Sequence, residues 1–406
     1  MKFKMTYEEF IYRLLIILIF AVNISTAATS LAVGLITAAI IFHGIKCKKW
    51  PQVDRQIGYL IAAYFALQII IAAFSLNPLY SFREVVGEIH RCFPLFFAMA
   101  FIKSQRHLRG ILTAFLFSVL VNNLCGAYQY FFLHLNRAYA FSHTPTFYAS
   151  FLLMQIPVLI FITTLKFMPK WSKKLSVFVT LFSILMLILS VTRGAWLSFL
   201  IVALTFIALD NNWRKKSIKY FAGGLAISLA IIIISPTLQA RAVTLWNPTF
   251  RSNTERILMW QSSIEIIKDY PIHGIGQKMF QKVYNNEYIS PKAKERPNKK
   301  KNREGHTHPH NNLFNVTTEG GILGLVAFVM LHGYFFRRLY LLYKNERGKM
   351  LLSSGLVGFL ILLALQLEGL TDTNMNQVPI MREYWFLIGM LLIAGKIVNN
   401  SGKELI

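Results

Sequence analysis

The chain is short of acid. Eighteen Asp and Glu stand against 43 Lys and Arg, a formal net charge of +25 over 406 residues. Only four are aspartates, Asp54, Asp210, Asp269 and Asp372, and none forms an Asp-x-Asp pair. Holding a catalytic cation normally takes clustered oxygen ligands, so a metal-dependent sugar transferase is disfavoured. Cysteine is scarce as well. Cys47, Cys92 and Cys125 lie far apart, two of them in apolar runs, which argues against a disulfide framework or a thiolate metal site. Charged residues make up 15% of the chain, against about 25% in soluble domains, so a soluble globular protein is excluded. No Walker loop is present. Gly274-Ile-Gly276 lacks the strand and third glycine of a dinucleotide site and reads as a turn after Pro271.

What the chain has is apolar length. Hydrophobic residues reach 55%, and the basic residues fall between apolar runs rather than on one patch, a pattern of membrane topology rather than nucleic-acid binding. Lys2, Lys4 and Arg13 ahead of an apolar run imitate a secretory signal. Apolar runs continue to the C-terminus, however, and losing the first would misplace the other charges, so no cleavage is expected. A span takes about 20 apolar residues. Runs near 57–76, 88–102, 108–133, 145–165, 175–191, 217–235, 313–336, 350–370 and 380–398 qualify. The stretch 14–42 is too long for one helix and should turn at Asn23, Ser25 and Thr26, while 175–209 should break at Thr192, Arg193 and Gly194. Twelve spans follow. With both termini cytoplasmic, the inner segments carry 25 Lys and Arg, the short outer segments five and one long loop 13, which satisfies the positive-inside rule.

The expected organisation is therefore nine transmembrane helices over 1–235, a large outer loop over 236–312 and three more helices over 313–406. In the loop, Asn253 and Thr254 offer an N-cap, and Ile257, Trp260, Ile264 and Ile267 follow at helical spacing until Pro271. This reads as an amphipathic helix lying on the outer membrane surface. The run from Pro291 to Arg303 is basic and reads as a solvated segment or a contact for anionic lipid headgroups. There is no internal repeat.

Chemistry-bearing residues gather on the outer side. Arg193 at a span boundary is either a ligand or a snorkelling anchor. Arg256, placed in the first turn of the loop helix, opposes the helix dipole there and so favours a ligand role. His306, His308 and His310 lead into the next span with no acidic or thiolate partner nearby in sequence, so no metal site is expected. His310 and Asn311 stand at a helix N-terminus, which attracts phosphate and keeps an imidazole neutral. General base and helix cap are the two readings of His310. Gly320, Gly321 and Gly324 suit a small-residue helix contact. Glu368 and Asp372 are candidates to orient a catalytic group or bind an acceptor, and boundary residues otherwise.

Spacing adds a resemblance. His310-Asn311, nine residues, then Gly321-Ile-Leu-Gly324 resembles the signature of the bacterial O-antigen ligase family, within a superfamily that includes O-antigen polymerases. Val191-Thr-Arg-Gly-Ala-Trp196 is similar to that family's first arginine motif. Thr254-Glu-Arg-Ile-Leu-Met-Trp260 with Asp269-Tyr-Pro-Ile-His-Gly-Ile-Gly276 is similar to its second. The resemblance implies an all-α membrane glycosyltransferase of the helical, GT-C type in the bacterial inner membrane, with its active site on the periplasmic face and no cofactor. It implies transfer, with inversion, of a glycan from undecaprenyl diphosphate to a sugar hydroxyl of the lipid A core in lipopolysaccharide biosynthesis. His310 is then the catalytic base, Arg193 and Arg256 grip the diphosphate, and Asn311, Gly321 and Gly324 support the site. A polymerase using a second lipid-linked glycan, and a glycolipid flippase or transporter, stand as alternatives. The topology predicts that reporter fusions after Lys49, Lys174 and Lys349 read as cytoplasmic and fusions within 280–303 as external; an internal signal from the loop would overturn it.

Overall fold

A computed structural model describes residues 6–210, 218, 222–224, 230, 232–244, 247, 250–294 and 307–400. Among these residues the structure is helical, without a strand. The principal helices are α1 (Tyr7–Ala21), α2 (Thr26–Cys47), α3 (Arg55–Ala73), α4 (Pro78–Ile89), α5 (Phe93–Phe101), α6 (Gln105–Phe131), α7 (Pro145–Thr164), α8 (Lys170–Leu189) and α9 (Arg193–Leu209). After them come α10 (Pro236–Val243), α11 (Arg251–Asp269), α12 (Asn312–Glu346), α13 (Ser354–Glu368) and α14 (Val378–Asn400).

Seven of them, α2, α3, α6, α7, α8, α12 and α14, are long and apolar enough to cross a membrane, and α9 and α13 are shorter apolar helices. This is a helical membrane protein. The count of twelve is not reached on the described residues. The expected span 88–102 is instead two pieces, because the chain turns at His90–Cys92 and Pro94 starts the nine-residue α5. The expected span 217–235 lies mostly outside the described residues, as does most of the basic run, of which Pro291–Lys294 forms one short turn.

Polar residues mark the breaks for identifiable reasons. Between α1 and α2, Ser25 Oγ accepts the Ala28 N–H and so caps α2. Asn23 turns inward, donating to Ser118 Oγ at 3.0 Å and accepting from Gln155 Nε2 at 2.7 Å. Gln155 also donates to Glu383 at 2.9 Å. A buried polar group in hydrocarbon is costly unless paired, and this network ties α1, α6, α7 and α14 together. The last run divides between Leu189 and Arg193, where Val191 takes φ +54. The most deeply buried spans are α7 and α14, α7 packing on α8 and α13, and α14 on α5 and α13.

The loop helix differs from its sequence reading. It starts at Arg251, with Phe250 in the cap position and no side-chain cap, so Asn253 and Thr254 lie within it. Its buried residues are Leu258, Met259, Ser262, Ser263 and Ile266, whereas Ile257 and Ile264 are exposed. Met259 and Ile266 join Ile275, Met279, Phe280, Val283 and Tyr284 in a small core of their own. The helix therefore rests on α12 and on this core, through a face largely opposite the stripe expected to face lipid.

The largest departure is in α12, which is interrupted at Gly321, φ +60 and ψ −157. Residues 271–276 are laid into the interruption. Ile322 N donates to Pro271 O at 2.8 Å and Leu323 N to Ile272 O at 3.2 Å. On the other side Ile275 N donates to Thr318 O and Gly276 N to Glu319 O, each at 2.9 Å. A Cβ on Gly321 would stand 2.3 Å from the Ile272 carbonyl, and one on Gly274 would stand 2.6 Å from the α12 backbone. Gly274 and Gly276 are thus more than a turn, and Gly321 meets a loop rather than a neighbouring helix. A Cβ on Gly324 would stand 3.1 Å from the Val316 carbonyl oxygen, with Ile71 further off at 3.9 Å. Positive φ alone costs an L residue about 1–3 kcal/mol. Gly321→Ala is therefore expected to lose folded protein in thermal unfolding, whereas Gly320→Ala, whose Cβ would meet only Ile71 at 3.7 Å, should stay near wild type; equal stability of the two would contradict the docking.

Candidate functional site

The α8–α9 junction, α11 and the start of α12 meet around a cavity of about 180 Å³. Four arginines line it: Arg137, Arg193, Arg241 and Arg256. His310 and Thr371 close one side, and Glu255 is the carboxylate among the lining residues.

Each arginine is held differently. Arg137 lies in the α6–α7 loop, whose course is set by Gln129: its side-chain oxygen accepts the Ala140 N–H at 2.7 Å and its amide donates back to Ala140 O at 2.8 Å. From there Arg137 donates to Ser190 O at 2.9 Å and Thr192 Oγ1 at 3.1 Å. Arg193 opens α9 and is 6% exposed. Its guanidinium donates to Thr244 O and to Thr244 Oγ1 at 2.8 Å, Ser252 Oγ at 3.0 Å and Asn253 Oδ1 at 2.6 Å. Gly194 next to it would put a Cβ 2.0 Å from Thr371 Oγ1, so only glycine lets α9 start this close to the α13–α14 loop. The Phe250 ring lies between Arg193 and Arg241, 5.3 and 5.4 Å from their guanidinium carbons. Arg241 Nε is buried without a hydrogen-bond partner. Arg256 projects from the second turn of α11, not the first as its sequence position suggested.

The arginines perturb one another. Burial, and then the charges of Arg241, Arg256 and Arg193, push Arg137 down to about 10. Burial and Arg256 lower Arg241. At neutral pH they remain protonated, and the cavity holds an excess of positive charge that an anion would relieve.

His310 faces this cavity from φ +51. Its Nδ1 is 2.9 Å from Asp372 Oδ1, and the pair is 30% and 4% exposed. Burial alone would raise the Asp372 carboxyl. The hydrogen bond and charge of His310, with His308 and the Thr373 N–H, outweigh it and hold the carboxyl well below the usual carboxylate range. An ionised Asp372 selects the Nδ1–H form of the imidazole, which leaves Nε2 as the basic nitrogen. The aspartate is a partner that no local spacing revealed, since it lies 62 residues away.

The surrounding asparagines fix the histidine. Asn311 Oδ1 caps α12 by accepting Leu313 N at 2.8 Å and Phe314 N at 3.1 Å, and its amide donates to Leu370 O at 2.9 Å. Asn312 N donates to Gly369 O at 2.7 Å and its side chain to Asn374 Oδ1 at 2.8 Å. Trp260 Nε1 donates to Pro309 O at 3.0 Å. Glu368, 1% exposed, accepts Ser150 Oγ at 2.8 Å and is also bonded by Asn374. It braces the loop that carries Asp372 and has no place in the cavity lining.

Residues 178–329 match the family model described as O-antigen ligase. That stretch is similar to an O-antigen ligase domain. The match spans Arg193, the loop with Arg256, and His310 through Gly324. No curated protein matches the chain. Within the matched stretch, Arg193, Arg256 and His310 come together on one cavity, while Gly321 lies behind it at the loop insertion. Arg137 precedes the matched region and was visible in the sequence only as one more outer charge, as was Arg241.

The contacts separate the two sequence-identified arginines. Arg193→Lys removes a fork that holds Thr244, Ser252 and Asn253, so proteolysis next to those residues should become faster. Arg256→Lys should leave proteolysis unchanged and weaken binding of inorganic pyrophosphate about tenfold, the scale of one lost charge-assisted bond. Unchanged pyrophosphate affinity in Arg256→Lys would remove it from anion binding.

Proposed function

We propose that this protein is an O-antigen ligase, transferring a glycan from undecaprenyl diphosphate to a sugar hydroxyl of the lipid A core, without metal and with inversion at the anomeric carbon. The observation that carries the reading is the placement of the His310–Asp372 pair against a cavity lined by four arginines. It joins the two tasks such a transfer requires.

The leaving group is a diphosphate, which departs with the bonding electron pair as a stable anion. Guanidinium forks bind phosphate oxygens through paired, charge-assisted bonds, and Arg137, Arg241 and Arg256 are placed to stabilise that charge as it develops. Arg193 holds the wall against which they stand. The acceptor hydroxyl needs a base at the moment its oxygen attacks. His310 Nε2 takes the proton, and Asp372 fixes the ring and stabilises the imidazolium that results. The acceptor C–O bond forms as the anomeric carbon's bond to the diphosphate oxygen breaks.

Length accounting supports an external site. Residues 322–346 extend about 37 Å as a helix, so with Arg337, Arg338 and Lys344 at the inner boundary the part of α12 before Gly321 lies toward the outer one. The first piece of α12, with His310 ahead of it, is then free to stand at the outer boundary, where lipid-linked donor and lipid A core meet. Twelve spans in a GT-C arrangement are part of the same proposal.

The test is single-turnover transfer by purified protein offered a lipid A core and a lipid-linked repeat in competition. Preference for the lipid A core supports ligation, and preference for the repeat makes the protein a polymerase. His310→Asn should keep donor binding and lose about 10²- to 10⁴-fold in rate, and near-normal transfer would move the base elsewhere. Transfer should also survive exhaustive chelation; loss with restoration by one divalent ion would overturn the metal-independent mechanism.

A further inference from the structure

The pair that would act as base has a third potential ligand beside it. His308 and His310 meet edge to face with ring centroids 4.5 Å apart. One ligand atom from each of His308, His310 and Asp372 can be chosen so that all lie within 4.8 Å of one another. The alternating histidines are visible in the sequence, but the acid that joins them comes from the α13–α14 loop, 62 residues beyond His310.

We propose that His308, His310 and Asp372 form a binding site for one divalent transition-metal ion, and that the ion inhibits transfer. The inhibitory part rests on the reading of His310 as base. Two imidazoles and a carboxylate are the donor set of open tetrahedral sites, with water as fourth ligand. The ligand identities also select the metal. Four arginines line the adjoining cavity, so an ion held mainly by charge, such as Mg²⁺ or Ca²⁺, is repelled. Zn²⁺, Co²⁺, Ni²⁺ and Cu²⁺ form stronger bonds to imidazole nitrogen, and among these the site should take Zn²⁺ in preference to Co²⁺.

Inhibition follows from the tautomer. While Asp372 accepts from Nδ1–H, Nε2 carries the lone pair. A metal bound at Nδ1, the nitrogen that now faces Asp372, displaces that proton, and in the neutral ring it is carried on Nε2. No proton is gained or lost overall, but the nitrogen facing the acceptor has become a donor and cannot accept the hydroxyl proton. The ion therefore removes the base without occupying the arginine cavity.

The experiment uses the full-length protein in nanodiscs. Co²⁺ added to chelator-treated protein is expected to give the d–d absorption of a tetrahedral nitrogen and oxygen site at one equivalent, and Zn²⁺ should displace it. His308→Ala should weaken Co²⁺ binding at least tenfold, and His308→Gln, which keeps polarity and bulk, should do the same. In transfer assays Zn²⁺ should inhibit the wild type in step with occupancy, with inhibition relieved by chelation and much reduced in both His308 variants. No stoichiometric Co²⁺ spectrum, or one unchanged in both His308 variants, overturns the site. Stoichiometric, His308-dependent binding that leaves transfer at full rate overturns the inhibition instead. Loss of transfer in His310→Asn, measured without metal, reports separately on the base.

Discussion

Four backbone hydrogen bonds between residues 271–276 and the interrupted α12 hold the site together. The break at Gly321 leaves carbonyls on one side and N–H groups on the other without their helical partners. Buried and unpaired, such groups cost on the order of 1–3 kcal/mol each, and more where water is excluded. The inserted loop supplies a partner to both sides, so the helix is continuous in hydrogen bonding although not in direction. Because the same loop ends α11, the insertion fixes where Arg256 stands relative to His310. Gly274 and Gly321 then have one shared explanation, that two backbones pass closer than any Cβ allows, while a Cβ on Gly276 would meet the Ser75 and Ser81 side chains.

A second set of contacts acts at the other end of the same helix piece. Asn311 and Asn312 reach the 369–374 loop through backbone and side chain, and Glu368 braces that loop from below. These bonds set the distance between His310 and Asp372. Arg193 does comparable work on the opposite wall, with its hydrogen bonds spent on Thr244, Ser252 and Asn253. Residues that look alike in a motif thus divide into those that face the cavity and those that build its sides.

Much of the helical layout was legible because apolar length and polar punctuation are local properties. The turn at Asn23–Thr26 and the break before Arg193 each follow from a few adjacent residues, as does the start of α12 behind Asn311. The division of 78–101 follows from His90 and Arg91, which interrupt the apolar run, and from Pro94, which offers a new start; a single span over 88–102 does not allow for them. The face of α11 was misjudged because Ile257 and Ile264 suggested a lipid-facing stripe, whereas its true partner, the core around Phe280, forms from residues further along the chain. In the site, Arg193, Arg256 and His310 were visible through their motifs. Asp372 stood only as one of two candidates to orient a catalytic group, and Arg137 and Arg241 only as outer charges, because their relation to His310 exists only after distant segments pack.

The insertion at Gly321 also bears on how the protein is made. Residues 271–276 leave the ribosome before Thr318 to Leu323, so the strip of backbone that completes α12 exists before the helix that needs it. The small core around Met259, Ile266 and Phe280 involves residues that all precede α12 and can assemble while that helix is still being synthesised. The nascent helix then meets a prepared template at its interruption. Synthesis order thus places the hydrogen-bond partners of the interruption ahead of the helix that needs them.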